Sequence, residues 1–210
     1  MEDKGCYYLV NVEQGSKGWK YMRKGRITMS NLGKVVGHAP YYKGTMEDLA
    51  LEIKGIKKQN FKKEELDRMN RGTAYEPIVR DVLAKKLDVK IGETGFAIWK
   101  LDTRFGASLD GIIDDDTGIE IKCPARMYGP ILEYMKNEDR DPNDYSHIWR
   151  SQYDQIVGNA VITGRKYMYF CVYGIEDKKL FIQKLKVDYG YWNNFLYPTA
   201  KDFYEKYMVE

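Results

Sequence analysis

The segment SLDGIIDDDTGIEIKCP, residues 108–124, constrains the fold of this chain more than any other. Apolar positions flank an acidic turn, DDDTG, and the pattern predicts two strands joined as a hairpin. The first strand runs through TRFGASLDGII; Pro124 ends the second, because it cannot donate to a strand ladder. Side chains alternate along a strand, so Glu120 and Lys122 share one face and Ile119 and Ile121 take the other. Folding about the turn sets Asp110 roughly opposite the Ile121–Lys122 end. An aspartate, a glutamate and a lysine then converge, and like charges side by side repel. Either this is a solvated turn ending in an outward Glu-x-Lys pair, or the carboxylates are placed to hold a cation.

The second reading carries a definite chemistry. Oxygen donors without histidine or cysteine suit Mg²⁺ or Mn²⁺. An ion held by Asp110 and Glu120 can polarise a phosphodiester and lower the pKa of a bound water. Lys122 can orient that water or stabilise charge building on phosphorus. The isoleucine face opposite packs into the core and holds the site rigid.

A polyanionic substrate calls for basic surface. The net charge is only +3, yet the bases cluster: 17–26 and 54–63 each hold five bases and no acid. Such runs also read as plain solvated surface. Eighteen tyrosines and four tryptophans suit nucleic acid, although most serve core and strand positions. Cys6, Cys123 and Cys171 are too few and too scattered for a disulfide framework or a Cys-x-x-Cys metal knuckle, and read as small core residues of a cytosolic chain. His38 and His147, the two histidines, sit in no setting that suggests a nucleophile triad. No apolar run approaches the ~18 residues of a membrane span, and no signal peptide is evident, so a cytoplasmic protein without membrane contact is expected. The 210 residues are expected to form one domain, 1–210.

Ser16 is placed to cap a short helix over 17–24 that Gly25 ends, and Thr28 or Ser30 starts a second. Residues 38–63 read as a loop or small helical excursion. Helical spacing over 72–88 predicts a helix, with Thr73 and Glu76 as its capping box. A polar loop covers 133–146. A helix over about 148–162 has Trp149, Tyr153, Ile156, Val157 and Ala160 on its apolar stripe, with Gln152, Gln155 and Asn159 along one edge. Two strands follow, then a helix from about 189 that Pro198 kinks or splits. The order predicts an α/β fold, a central mixed sheet flanked by helices.

Several pieces together resemble a known family. SLDG…GIEIKCP is similar to the core of the PD-(D/E)xK nucleases, specifically the lambda-type phage exonucleases or YqaJ-like viral recombinases. VEQGSKGWKYMRKGRITMS (12–30), RGTAYEPIVRD (71–81), QYDQIVGNAVITG (152–164) and YMYFCVYG agree in order, so the resemblance spans about 12–174. It implies that Asp110 and Glu120 are metal carboxylates, with the Ile121 carbonyl and Glu76 as further ligands. Lys122 matches the catalytic lysine and Gln155 the glutamine of the catalytic helix. Where family members often carry a second glutamine two places on, this chain has Val157, and Gln152 stands as the substitute on the DNA side. Leu109 replaces the proline before Asp110.

Arg23 and Ser30 match a pocket for a 5′-phosphate. An arginine fork beside Thr28 and Ser30 at a helix start suits that compact dianion; the plainer alternative is that Arg23 pairs with a nearby acid. The resemblance implies a Mg²⁺-dependent exonuclease, with Mn²⁺ as substitute, degrading linear double-stranded DNA 5′ to 3′ to leave single strands for recombination. It further implies duplex DNA ends and a single-strand annealing protein as partners, a homo-oligomer (a trimeric ring), and a host-cell cytoplasmic location if the source is viral. A structure-specific endonuclease or nickase on the same fold remains an alternative. A catalytically inactive nucleic-acid-binding module is another, against which Asp110, Glu120 and Lys122 argue.

Overall fold

The extended run before the acidic turn does not stay in one sheet, and that crossing organises the molecule. The computed structural model describes residues 1–59 and 61–209; Asn60, inside the basic run 54–63, and Glu210 lie outside them. The first half comprises β1 (Glu2–Asp3), β2 (Tyr7–Val10), α1 (Lys17–Arg23), β3 (Ile27–Thr28), α2 (Met29–Val35), α3 (Met46–Ile53) and α4 (Lys63–Leu87). Next come β4 (Phe96–Trp99), β5 (Phe105–Ala107), β6 (Gly111–Ile112), β7 (Thr117–Lys122), α5 (Gly129–Lys136) and α6 (Arg150–Thr163). The chain closes with β8 (Tyr167–Tyr173), β9 (Leu180–Lys186), α7 (Tyr189–Tyr191), a π-turn (Trp192–Leu196) and α8 (Tyr197–Tyr207).

The α/β class is as the sequence predicts. Among the described residues the strands divide into two mixed sheets, ordered β1-β2-β4-β5-β3 and β6-β7-β8-β9. In the first, β3 joins β5 in parallel; in the second, β7 runs parallel to β8 with Ile121 opposite Cys171. β5 belongs to the first sheet and β6 to the second, so Ser108, Leu109 and Asp110 lie at the crossing.

The two faces of β7 meet different partners. Ile119 and Ile121 pack with Val79 and Leu83 of α4 and Cys171 of β8. Each buried isoleucine contributes roughly 1.5–3 kcal/mol. The larger cluster includes Ile156, Val157 and Ala160 of α6, Phe105, Phe170 and Trp192. Helices α2 and α6 approach through glycines: a Cβ on Gly33 would fall 2.5 Å from the Ser151 Cβ, and one on Gly158 2.1 Å from the Met29 sulfur. That close crossing ties the α1–α2 region to the helix carrying Gln155.

Besides Cys6, which is exposed between β1 and β2 rather than a core residue, four expectations are corrected. Helix α4 starts at Lys63 rather than near 72, so Thr73 and Glu76 lie inside it and form no capping box. The Glu65 side chain instead accepts from the Lys62 N–H at 2.8 Å. The first half of α4 is mostly exposed and so carries little apolar period to read. Pro77 sits within this helix; Thr73, whose carbonyl it leaves unpaired, is exposed, so water can serve that carbonyl. Second, α5 takes residues expected in the loop 133–146, because Ile131 buries its apolar side. Third, Trp149 is off the buried stripe: it is the N-cap residue of α6 and 49% exposed. Fourth, the Thr28 hydroxyl does not cap α2, although Thr28 is its N-cap residue.

Ser16 caps α1 through the Trp19 N–H, and Gly25 follows that helix with φ +75°. The excursion within 38–63 is α3, closed by a Thr45–Asp48 capping box. Pro198 stands in the first turn of α8, after the π-turn that splits the last helix. Among the described residues no helix is long and apolar enough to cross a membrane.

Candidate active site

The polar face of β7 lies against α6. Glu120, 1% exposed, places one carboxylate oxygen 2.6 Å from the Lys122 ammonium and accepts from Asn159 Nδ2 at 2.8 Å with the other. The same ammonium donates to Gln155 Oε1 at 3.1 Å. Gln155 and Asn159 are four residues apart on α6 and therefore share a face. Asp110 is fixed by the backbone: its N–H donates to the Ile119 carbonyl at 3.1 Å, and its carboxylate accepts from the Ile121 N–H at 2.7 Å. The convergence expected from strand alternation is thus built by hairpin register on one side and by α6 on the other.

These groups act on one another electrostatically. Burial raises the Asp110 carboxyl well above the usual range, Glu120 and Glu76 add to the rise, and Lys122 and the Ile121 N–H oppose it. Burial works against the Lys122 charge, but Glu120 and Asp110 outweigh it and hold the ammonium above the ordinary lysine range. Glu76, reaching from α4, is also raised, first by burial and then by Glu120, with Lys122 pulling the other way. The Cys123 thiol is pushed up to about 12 by burial, Glu76 and Asp110.

Among the described residues, no three histidine, cysteine, aspartate or glutamate side chains form a ready-made cage for an ion. The donor chemistry nevertheless fits a hard divalent cation. Asp110, Glu120 and Glu76 are oxygen donors, and their mutual repulsion, which adds to burial in lifting Asp110, is what a cation would relieve. Both Glu120 oxygens are engaged, so here Lys122 supplies the balancing positive charge.

A second group lies on α1. Arg23 stacks 4.2 Å above the Trp19 ring and donates to the Ser30 hydroxyl at 2.8 Å; Thr28 and Ser30 hydroxyls are 3.2 Å apart. Among the described residues Arg23 has no carboxylate partner, and burial lowers its pKa to about 10. Trp19 Nε1 donates to Ser108 Oγ at 2.8 Å, and Gln14 Nε2 donates to the Leu109 carbonyl at 2.8 Å. The arginine helix is therefore pinned to the residues directly before Asp110.

Other expected residues lie elsewhere. Gln152 points to Tyr128, donating to its hydroxyl at 3.3 Å. Val157 is buried in the core, since two residues beyond Gln155 is about 200° around the helix. Sequence reasoning put Asn159 on the right edge of α6 but gave it no role; its spacing from Gln155 was the available signal. Trp19, Ser108 and Gln14 were missed as a group, because only the fold brings α1 to the sheet crossing. Helix α6 is held from behind by a partly buried cluster, in which Asp154 accepts from Tyr191 at 2.7 Å and meets His38 Nδ1 at 2.8 Å. The other histidine, His147, bonds to Gln183 at 2.9 Å.

The model of the YqaJ-like viral recombinase domain matches residues 18–166 of this chain. No curated protein matches it. Among solved structures, the alkaline exonuclease LHK-Exo from Laribacter hongkongensis is similar, with a TM-score of 0.69 at 22% identity, over 91% of this chain and 92% of that one. Its complex with dAMP gives the same values. A phage related exonuclease from Haemophilus somnus 129PT has a TM-score of 0.56 at 11% identity, over 86% of this chain and 94% of that one.

Proposed function

This chain belongs to the YqaJ-like viral recombinase domain family, and on that premise we propose that it is a metal-dependent deoxyribonuclease that degrades linear duplex DNA from the 5′ end, leaving single strands for recombination. The observation that carries this reading is the meeting of Asp110, Glu120 and Lys122 on one side of β7, with Gln155 and Asn159 closing it from α6. The exonuclease names of the similar solved structures agree with it. Asp110, Glu120 and Glu76, with the Ile121 carbonyl, would hold Mg²⁺ or Mn²⁺. Such an ion would polarise a phosphodiester and lower the pKa of a bound water.

The chain's own groups do the rest. Lys122, kept charged by its acidic neighbours, is positioned to donate to the attacking water or to an oxygen gaining charge on phosphorus. Gln155 orients the lysine, and Asn159 holds one oxygen of the glutamate. Arg23, with Ser30 and Thr28, would receive a terminal 5′-phosphate, an anion that answers its unpaired charge. A homo-oligomeric ring and a single-strand annealing partner accompany this reading as further proposals.

One assay tests it. End-labelled linear duplex, nicked circle and closed circle are incubated with Mg²⁺, each strand labelled separately. Loss from the 5′ ends of linear duplex, abolished by EDTA, is expected. Cutting of the closed circle would favour the endonuclease reading, and binding without cleavage the inactive module.

A further inference from the structure

Beside the proposed cleavage centre stands a pair of aromatic rings with no part in the chemistry above. Tyr128 is the N-cap residue of α5 and Trp149 that of α6, and neither side chain caps its helix. Their ring centroids are 4.4 Å apart with the planes 32° apart. Trp149 is 49% exposed, whereas Trp99 and Trp192 are buried at 6% and 0% and Trp19 is committed to Ser108 and Arg23. An indole left half in water, packed on a second ring, presents a π-face that the core does not use.

The pair is coupled to the site. Burial raises the Tyr128 phenol, while the Gln152 hydrogen bond and the Lys122 ammonium oppose the rise, so the ring lies within reach of the lysine's field. Gln152 lies one turn before Gln155 on α6, between the rings and the Lys122 contact. Its amide donates to Tyr128, while its buried Oε1 has no partner among the described residues.

We propose that Tyr128 and Trp149 form a stacking platform for a nucleobase of the strand being cut, with the Gln152 amide as a polar group beside it; this rests on the nuclease reading. Any base offers a π-face, so such a platform grips the strand without reading sequence. It would hold a nucleotide near Lys122 while successive phosphates pass the carboxylates. The competing role is purely structural: a ring pair that fastens the starts of α5 and α6 together.

The test compares wild type, Trp149→Ala and Trp149→Phe. On linear duplex with Mg²⁺, Trp149→Ala should raise KM about tenfold, the loss of one base–aromatic stack, with kcat within roughly threefold. Trp149→Phe should restore most of that loss. The penalty of Trp149→Ala should vanish on substrates with an abasic residue at one of the first positions of the cut strand, which a structural fastening cannot reproduce. In EDTA, a single-stranded oligonucleotide should quench tryptophan emission in wild type but much less in Trp149→Phe. Equal penalties on every abasic substrate, or equal quenching in wild type and Trp149→Phe, would overturn the platform. If Trp149→Ala fails to fold, the Trp149→Phe quenching decides alone. Should wild type cleave no DNA yet show the Trp149-dependent quench, the platform stands and the nuclease reading falls; cleavage without that quench removes the platform and leaves the nuclease reading in place.

Discussion

Lys122 on β7 and Arg23 on α1 are both partly buried cations, and they are held in opposite ways. Lys122 sits among acids, bonded to Glu120 and sensed by Asp110 and Glu76, and its charge is balanced within the protein. Arg23 rests on a ring and a hydroxyl, with no acid among the described residues. Burial lowers its pKa only to about 10, so it stays charged at neutral pH. The contrast separates two tasks. A cation balanced internally suits the proposed reacting centre, whereas one held by neutral groups keeps its charge, as the proposed 5′-phosphate receptor requires.

The sharpest way to break this contrast is Glu120→Gln. It removes a proposed ligand and the partner of Lys122 together, so cleavage should fall by about three orders of magnitude or more. Stability should change modestly, because Lys122 is 27% exposed and reaches water. Cleavage rate and thermal melting measured side by side check both halves, and retained activity would remove β7 from the reaction.

Glu76→Gln comes next. With the capping role gone, the substitution should cut activity at least about tenfold while shifting stability by no more than about 0.5 kcal/mol. The sign is set by linkage. The folded pKa of Glu76 is raised, so the folded state binds the proton more tightly and this group costs stability once pH rises past that value. Glutamine removes the cost, and melting at neutral pH should hold or rise. A clear drop in melting temperature would instead make Glu76 structural.

Arg23→Ala probes the other cation. A hydrogen bond to a charged group is worth about 1.5–3 kcal/mol, so cleavage of 5′-phosphorylated ends should slow roughly ten- to hundredfold while 5′-hydroxyl ends change little. Equal slowing on both ends would make Arg23 a general support rather than a phosphate receptor. The smallest effect on cleavage is expected from Asp154→Asn, which weakens the His38–Tyr191 cluster behind α6. It should lower stability by about 1–3 kcal/mol and leave activity near wild type at low temperature. A large activity loss without destabilisation would show that Asp154 acts on Gln155 directly.

The hairpin was the most legible part of the chain. Alternation alone separated Glu120 and Lys122 from Ile119 and Ile121, and the observed partners of the two faces follow that division. The helix carrying Gln155 and Asn159 was readable from its period. The start of α4 was not, because an exposed helix of charged residues has no apolar stripe, and Thr73 with Glu76 imitated a cap. Trp149 was misread for a related reason: it falls on the apolar period of α6 by spacing, but it lies at the cap, where the period no longer predicts burial.

The sequence by itself determined which residues share a face, because strand and helix periods are local properties of the backbone. It therefore specified the α/β class and the acid–acid–lysine convergence across the turn. Only the tertiary structure decided what those faces meet. The split of the extended run between two sheets, the Trp19–Ser108 and Gln14–Leu109 bonds that bring Arg23 to the crossing, and the Asn159 bond to Glu120 join residues 39 to 95 positions apart. No local period encodes such contacts; they follow from how the buried faces of β7, α4 and α6 exclude water together.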